Sequence, residues 1–182
     1  TIFREEVKPG KDAAHEANET GWPAAYAKAK STNSSLAMTS ISGPTEAWYL
    51  SGYASWEEWE KRLKDEEANE MLSAETRKLW AQDGEMLSRS SQIVAAYRPA
   101  ISYRAASNLA RFRYMQVRLI RVKQGRGREF FDSWRETVAA HEKANMDEGF
   151  AIYQVISGLQ DGTYMYLQSF ASLADIDKSG PM

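Results

Sequence analysis

Hydrophobic and polar positions along the chain spell one order of elements twice. A short β-rich stretch comes first, Ile2 to Lys8 and again Met115 to Lys123, each followed by a glycine that permits a turn. In the second stretch Val117 and Leu119 read as inward and Arg118 and Arg121 as outward, the patterning of a half-exposed strand. Helices are predicted over Lys11 to Lys30 and Gly127 to Asn145, and on the latter Phe130, Phe131, Trp134, Val138 and His141 fall within about 100° of arc. Two strands follow in each half, Ser35 to Ser42 with Glu46 to Tyr53, and Phe150 to Ser157 with Thr163 to Phe170. Their connections, GPT and GLQDGT, are hairpin chemistry. Ser55 and Ser172 each precede an acidic residue by three positions, Glu58 and Asp175, the capping-box spacing that starts a helix. Each half therefore reads β-α-β-β-α.

Residue identities support the same reading. At an offset of 115, Val7, Lys8 and Gly10 align with Val122, Lys123 and Gly125, and Ile41, Ser42 and Gly43 with Ile156, Ser157 and Gly158. After two extra residues in the second turn, Tyr49, Leu50, Ala54 and Ser55 align with Tyr166, Leu167, Ala171 and Ser172. The first copy continues with a helix that Ser73 can cap, running to about Ser91, and a closing strand from Gln92 to Arg98 stopped by Pro99. That completes β-α-β-β-α-(α)-β, the ferredoxin-like pattern. Two units are expected, residues 1–104 and 105–182. The second is expected to lack its last helix and strand, because the natural chain continues beyond Met182 or because a partner supplies that edge.

Tandem units with an S-G hairpin and a step through Ala54-Ser55 and Ala171-Ser172 into the second helix resemble the dimeric α+β barrel superfamily. That group includes antibiotic-biosynthesis-monooxygenase-like and NIPSNAP-like proteins. The resemblance implies an α+β fold in which two tandem ferredoxin-like units form a barrel-type pseudo-dimer within one chain, or through a homo-oligomer. It also implies a range of activities, from cofactor-free oxygenases and isomerases to haem enzymes, and it carries no catalytic motif onto this sequence.

Composition narrows the classes. Hydrophobic residues at 43% and charged residues at 26% predict a soluble globular chain. No apolar run approaches the roughly 18 residues that a membrane span requires. A net charge of -2 argues against nucleic-acid and membrane-surface partners. Eight basic and no acidic residues lie between Arg104 and Arg128, but they fit ordinary strand patterning. GRG at 125–127 reads as a turn, since Phe130 stands where a dinucleotide fingerprint needs glycine. The absence of cysteine removes disulfides, thiolate nucleophiles and thiolate metal sites. A start at Thr1 leaves the compartment open between cytoplasmic and exported. Neither a nucleophile elbow nor a phosphate loop is present.

Candidate chemistry falls where the two copies disagree. His15, Glu19 and Tyr26 occupy the places of Phe130, Trp134 and His141, with Asp12 and Trp22 close to the same face. At i, i+4, His15 and Glu19 can orient one another or share a divalent cation. Without a completed ligand set, no metal and no cofactor is assigned. If instead Ala13, Ala17 and Ala24 face inward, His15 and Glu19 are solvated. His141, on an apolar stripe, reads as a haem ligand, a general base or a packed histidine. Most of the six Trp and nine Tyr read as core and subunit contacts.

The favoured reading is a small-molecule-binding barrel protein, a cofactor-independent oxygenase or isomerase acting on a hydrophobic or aromatic compound. In it His15 transfers the proton, Glu19 orients it, and Trp22, Tyr26 and Trp134 wall the pocket, with His141 as a second catalytic candidate. The alternatives are a non-catalytic interaction protein and a haem enzyme using His141.

Overall fold

The computed structural model describes residues 1–106 and 109–178. The chain divides after Gln92 into two units, each an α+β unit on an antiparallel sheet. In the first unit β1 (Ile2–Val7), α1 (Asp12–Glu19), α2 (Gly21–Lys28), β2 (Leu36–Thr39), β3 (Glu46–Leu50), α3 (Trp56–Glu67), α4 (Glu70–Met86) and β4 (Leu87–Tyr97) follow one another. Its strand order is β2-β3-β1-β4. The second unit contains β5 (Tyr114–Arg121), α5 (Gly127–Ala144), β6 (Ala151–Ser157), β7 (Thr163–Phe170) and α6 (Ala174–Lys178). There the order is β4-β6-β7-β5, with the second half of β4 pairing β6 from Val94 to Tyr97.

The single helix expected over Lys11 to Lys30 is two helices meeting at Thr20. Pro23 has no N–H to give to the carbonyl of Glu19, so the ladder is interrupted there. Gly21 permits the close approach of α2 to α4, since a Cβ at that position would meet Leu79 Cδ2 at 2.7 Å. Asn69, not Ser73, caps α4: its side-chain oxygen accepts from the Leu72 amide at 3.0 Å while its Nδ2 donates to the Ala29 carbonyl. Helix α4 therefore starts earlier and ends at Met86, and β4 begins at Leu87 instead of Gln92. Ser55 accepts from the Glu58 amide as its spacing foretold, and Glu58 reaches back to the Ala54 amide.

Alternation along β1 sends Phe3, Glu5 and Val7 to one face. Helices α1 and α4 cover it: Phe3 meets Trp80 edge-on at 5.4 Å, and His15 reaches Glu5. Opposite in the β1–β3 register, Ala47 and Tyr49 belong to the same face. On the other face Arg4 pairs with Glu46 and lies over Trp48. Ala13, Ala17 and Ala24 are exposed, so α1 turns its histidine face inward and its alanine face to water.

An apolar cluster holds the second unit: Ile101, Tyr103, Phe150, Ile152, Tyr164 and Tyr166, with Ile120, Phe130, Phe131, Trp134 and Val138 packed on it. The inward set on β5 differs from expectation. Ile120 and Arg118 pair across from Tyr164 and Tyr166 on the face that α5 covers, whereas Leu119 is 46% exposed. Arg118 stays exposed, as its outward reading expects, with its guanidinium lying over the Tyr166 ring. In the first unit, Trp56 is exposed and tilts against Trp59, so it is not a core residue.

Asn69→Ala should cost about 1–2 kcal/mol through loss of the cap and of the bond to Ala29. Ser73→Ala should change stability by less than about 0.5 kcal/mol. Urea unfolding of the two variants measures both, and the reverse ranking would contradict the assigned cap.

Candidate functional site

A strand-borne carboxylate begins the site. Glu5 is 2% exposed and stands opposite the buried Ala47. From α1, His15 Nε2 lies 2.8 Å from Glu5 Oε2. The same nitrogen lies 3.8 Å from Glu19 Oε1, one turn along the helix. Glu19 is the most accessible of the three, its side chain 19% exposed against 6% for His15 and 3% for Glu5. Its carboxylate accepts from Trp22 Nε1 at 3.1 Å and faces the Tyr49 hydroxyl.

A second layer comes from α4. Asn18 Nδ2 donates to Asp83 Oδ1 at 2.7 Å and to the Leu79 carbonyl. Asp83 is 1% exposed, and its Oδ2 and the Asn18 Oδ1 are buried without a hydrogen-bond partner. Trp22 packs edge-on against Trp80 at 4.9 Å and tilts against Tyr26 at 6.2 Å. Phe3, Trp22, Tyr26 and Trp80 thus form an aromatic rim, with Trp80 partly in solvent.

Burial dominates the electrostatics. It pushes the Glu5 carboxyl up to about 7; the hydrogen bond from His15 works the other way, and the charges of Glu19 and Asp83 add to the rise. Burial also raises Glu19, opposed by its contact with Tyr49, and raises Asp83, opposed by Asn18. The Tyr49 hydroxyl is held well above its ordinary value by burial and by Glu19. Three carboxyl groups share one imidazole, and each ionisation makes the next harder.

Of the residues expected from sequence, His15, Glu19 and Trp22 are brought together, and Tyr26 stands at the rim with Glu66, Tyr53 and Glu19 in electrostatic reach. Asp12 is exposed. His141 and Trp134 belong to the second unit's aromatic cluster. There His141 lies 5.4 Å from the rings of both Tyr103 and Phe150 and donates through Nδ1 to the Thr137 carbonyl, and Trp134 packs on Phe150 and Tyr166. Glu5, Asn18, Tyr49 and Asp83 were missed. The signal for Glu5 was its place between Phe3 and Val7 on an apolar strand face; for Asp83 it was the stripe Leu72, Leu79, Met86 on α4.

No protein-family model matches this sequence, and no curated protein matches it. Solved structures do. One named "Putative monooxygenase" from Fusobacterium nucleatum subsp. nucleatum superposes with a TM-score of 0.62 at 13% identity, over 97% of this chain and 77% of that one. Another of that description, from Lactobacillus acidophilus, gives 0.56 at 8% identity over 97% and 78%. An anthrone oxidase-like protein gives 0.54 at 12% identity over 98% and 75%. At such identities the likeness is one of fold. Among the described residues no helix is long and apolar enough to cross a membrane.

The shift at Glu5 fixes a sign for pH. Its ordinary pKa of 4.5 rises to about 7 on folding, so the folded chain holds more protons between these values. The resulting stabilisation is complete below pH 4.5 and is lost as pH rises through about 7. The melting temperature should fall by several degrees between pH 5 and pH 8, and Glu5→Gln should flatten that fall. A wild-type profile that rises over this interval would contradict the burial of an ionisable Glu5.

Proposed function

We propose that this is an oxygenase-like α+β barrel protein, of the antibiotic-biosynthesis-monooxygenase kind, whose first unit takes a hydrophobic or aromatic small molecule and moves a proton. The observation that carries this reading is the buried hydrogen bond between His15 and Glu5, with Glu19 placed at its more accessible end. Glu19 meets the substrate, because His15 is nearly enclosed. His15 relays the proton, and Glu5 holds the imidazole in place and takes part of its charge. A carboxyl whose affinity for protons is raised by burial is the better suited to accept one. Trp22, Tyr26 and Trp80 offer flat surfaces for a ring.

Tandem duplication belongs to the same proposal. At the offset of 115, Glu5, His15 and Glu19 correspond to Ile120, Phe130 and Trp134, all three packed on the second unit's apolar cluster. One copy then keeps a reactive site and the other a packed core.

Fold likeness to an anthrone oxidase-like protein suggests a probe. Anthrone has a methylene between two aryl rings, conjugated with a carbonyl. Loss of a proton gives a carbanion that reacts with O2, and the methylene becomes a second carbonyl with one oxygen atom gained and one released as water. An oxygen electrode should record uptake with anthrone as substrate. Glu19→Gln should slow it by about 100-fold to 10,000-fold, the usual worth of a positioned acid or base. Uptake no faster than without protein, or equal in wild type and Glu19→Gln, would dispose of this function.

A further inference from the structure

The first unit buries Glu5 and Asp83 and half-buries Glu19 around His15, and among the described residues no lysine or arginine is paired with any of the three carboxyl groups. Hydrogen bonds meet only part of the demand. Asp83 Oδ2 and Asn18 Oδ1 remain buried and unpartnered, with Asp83 in electrostatic reach of Glu5, Glu19 and His15. Orphaned acceptors beside surplus negative charge call for a positive species.

We propose that Glu5, His15 and Glu19 form a binding site for a first-row divalent cation of the zinc or manganese class. One ligand atom from each, an oxygen of Glu5, Nε2 of His15 and an oxygen of Glu19, lie within 4.8 Å of one another. Two of the separations are 2.8 and 3.8 Å, measured from His15 Nε2 to Glu5 Oε2 and Glu19 Oε1. Ligands at roughly 2.0–2.2 Å from a tetrahedral cation stand roughly 3.3–3.6 Å apart, so small side-chain rotations bring the three to bonding distance. An imidazole with two carboxylates favours zinc, manganese or iron over calcium and magnesium, which prefer oxygen alone. Three protein ligands leave a position for water, and Asp83, buried with an unpartnered oxygen and in electrostatic reach of all three, supplies an outer-shell acceptor. Glu5 sits on a strand and the other two on a helix, so the set is fixed by rigid elements.

This site goes beyond the proton-transfer reading and does not require it. With a cation bound, His15 Nε2 and Glu19 are ligands and no longer carry a proton, a second state of the same side chains. The full chain, stripped with a chelator, is titrated with Mn2+ by electron paramagnetic resonance and with Zn2+ against a chromophoric chelator. One equivalent per chain should bind. Glu19→Gln should weaken binding at least tenfold, and Asp83→Asn by about 10–100-fold as an outer-shell change. X-ray absorption of the zinc form should show one imidazole among oxygen ligands. His15→Ala should abolish the site; should it not fold, Glu19→Gln and the absorption spectrum carry the test alone. Absence of saturable binding at one equivalent, an affinity unchanged in Glu19→Gln, or a spectrum without imidazole would each overturn the proposal. Binding is read without substrate, so this proposal and the anthrone reaction can fail separately.

Discussion

A carboxylate buried on the helix-facing side of β1, and held there by a histidine, is the constraint around which the first unit is arranged. Glu5 occupies a position that its neighbours Phe3 and Val7 mark as core. Leaving such a group without a partner would cost several kcal/mol, and removing one member of a buried pair commonly costs about 3–5 kcal/mol. His15 supplies that partner, which fixes the rotation of α1 about its axis: the histidine goes in, and Ala13 and Ala17 go out to water. Once α1 is rotated in this way, Asn18 falls against α4 and finds Asp83, and Glu19 falls beside Tyr49 and Trp22. One hydrogen bond thereby propagates into the placement of two helices over the sheet.

The second unit answers the same architectural demand with apolar packing. Its helix α5 lays Phe130, Phe131, Trp134 and Val138 on Tyr164, Tyr166 and Phe150. Ring contacts there run from 4.3 Å between Phe130 and Tyr164 to 6.2 Å between Phe130 and Trp134. Within that packing His141 sits as a ring among rings, its Nδ1 donating to the Thr137 carbonyl. A polar core such as that of the first unit forgoes some stability, a pattern found at sites where chemistry is done.

The roles proposed for Glu5, His15 and Glu19 rest on depth rather than on residue type. On sequence alone, histidine is the natural proton carrier and a carboxylate four residues later its orienter. In the proposed reading depth reverses part of this: the strand residue Glu5 is assigned the orienting, and Glu19, the most accessible of the three and framed by Trp22 and Tyr49, is assigned the first contact with a ligand.

Much of the fold was legible in the chain. The order of strands and helices, the turns at Gly10 and Gly125, the Ser55 cap and the strand from Thr163 to Phe170 all depend on local chemistry: glycine at positive φ, a hydroxyl accepting an amide three residues on, a hairpin between apolar runs. His15, Glu19 and Trp22 could be read as one face for the same reason, since helical periodicity is local. What stayed hidden was non-local. Asn69 meeting Ala29, Glu5 meeting His15 and Asp83 meeting Asn18 join residues 40, 10 and 65 positions from their partners, and no period in the sequence encodes those distances. By itself the sequence determined the order of the elements and the turns between several of them. The tertiary structure decided which polar groups were shut inside together, because only packing removes the water that would otherwise have kept Glu5, His15 and Asp83 independent of one another.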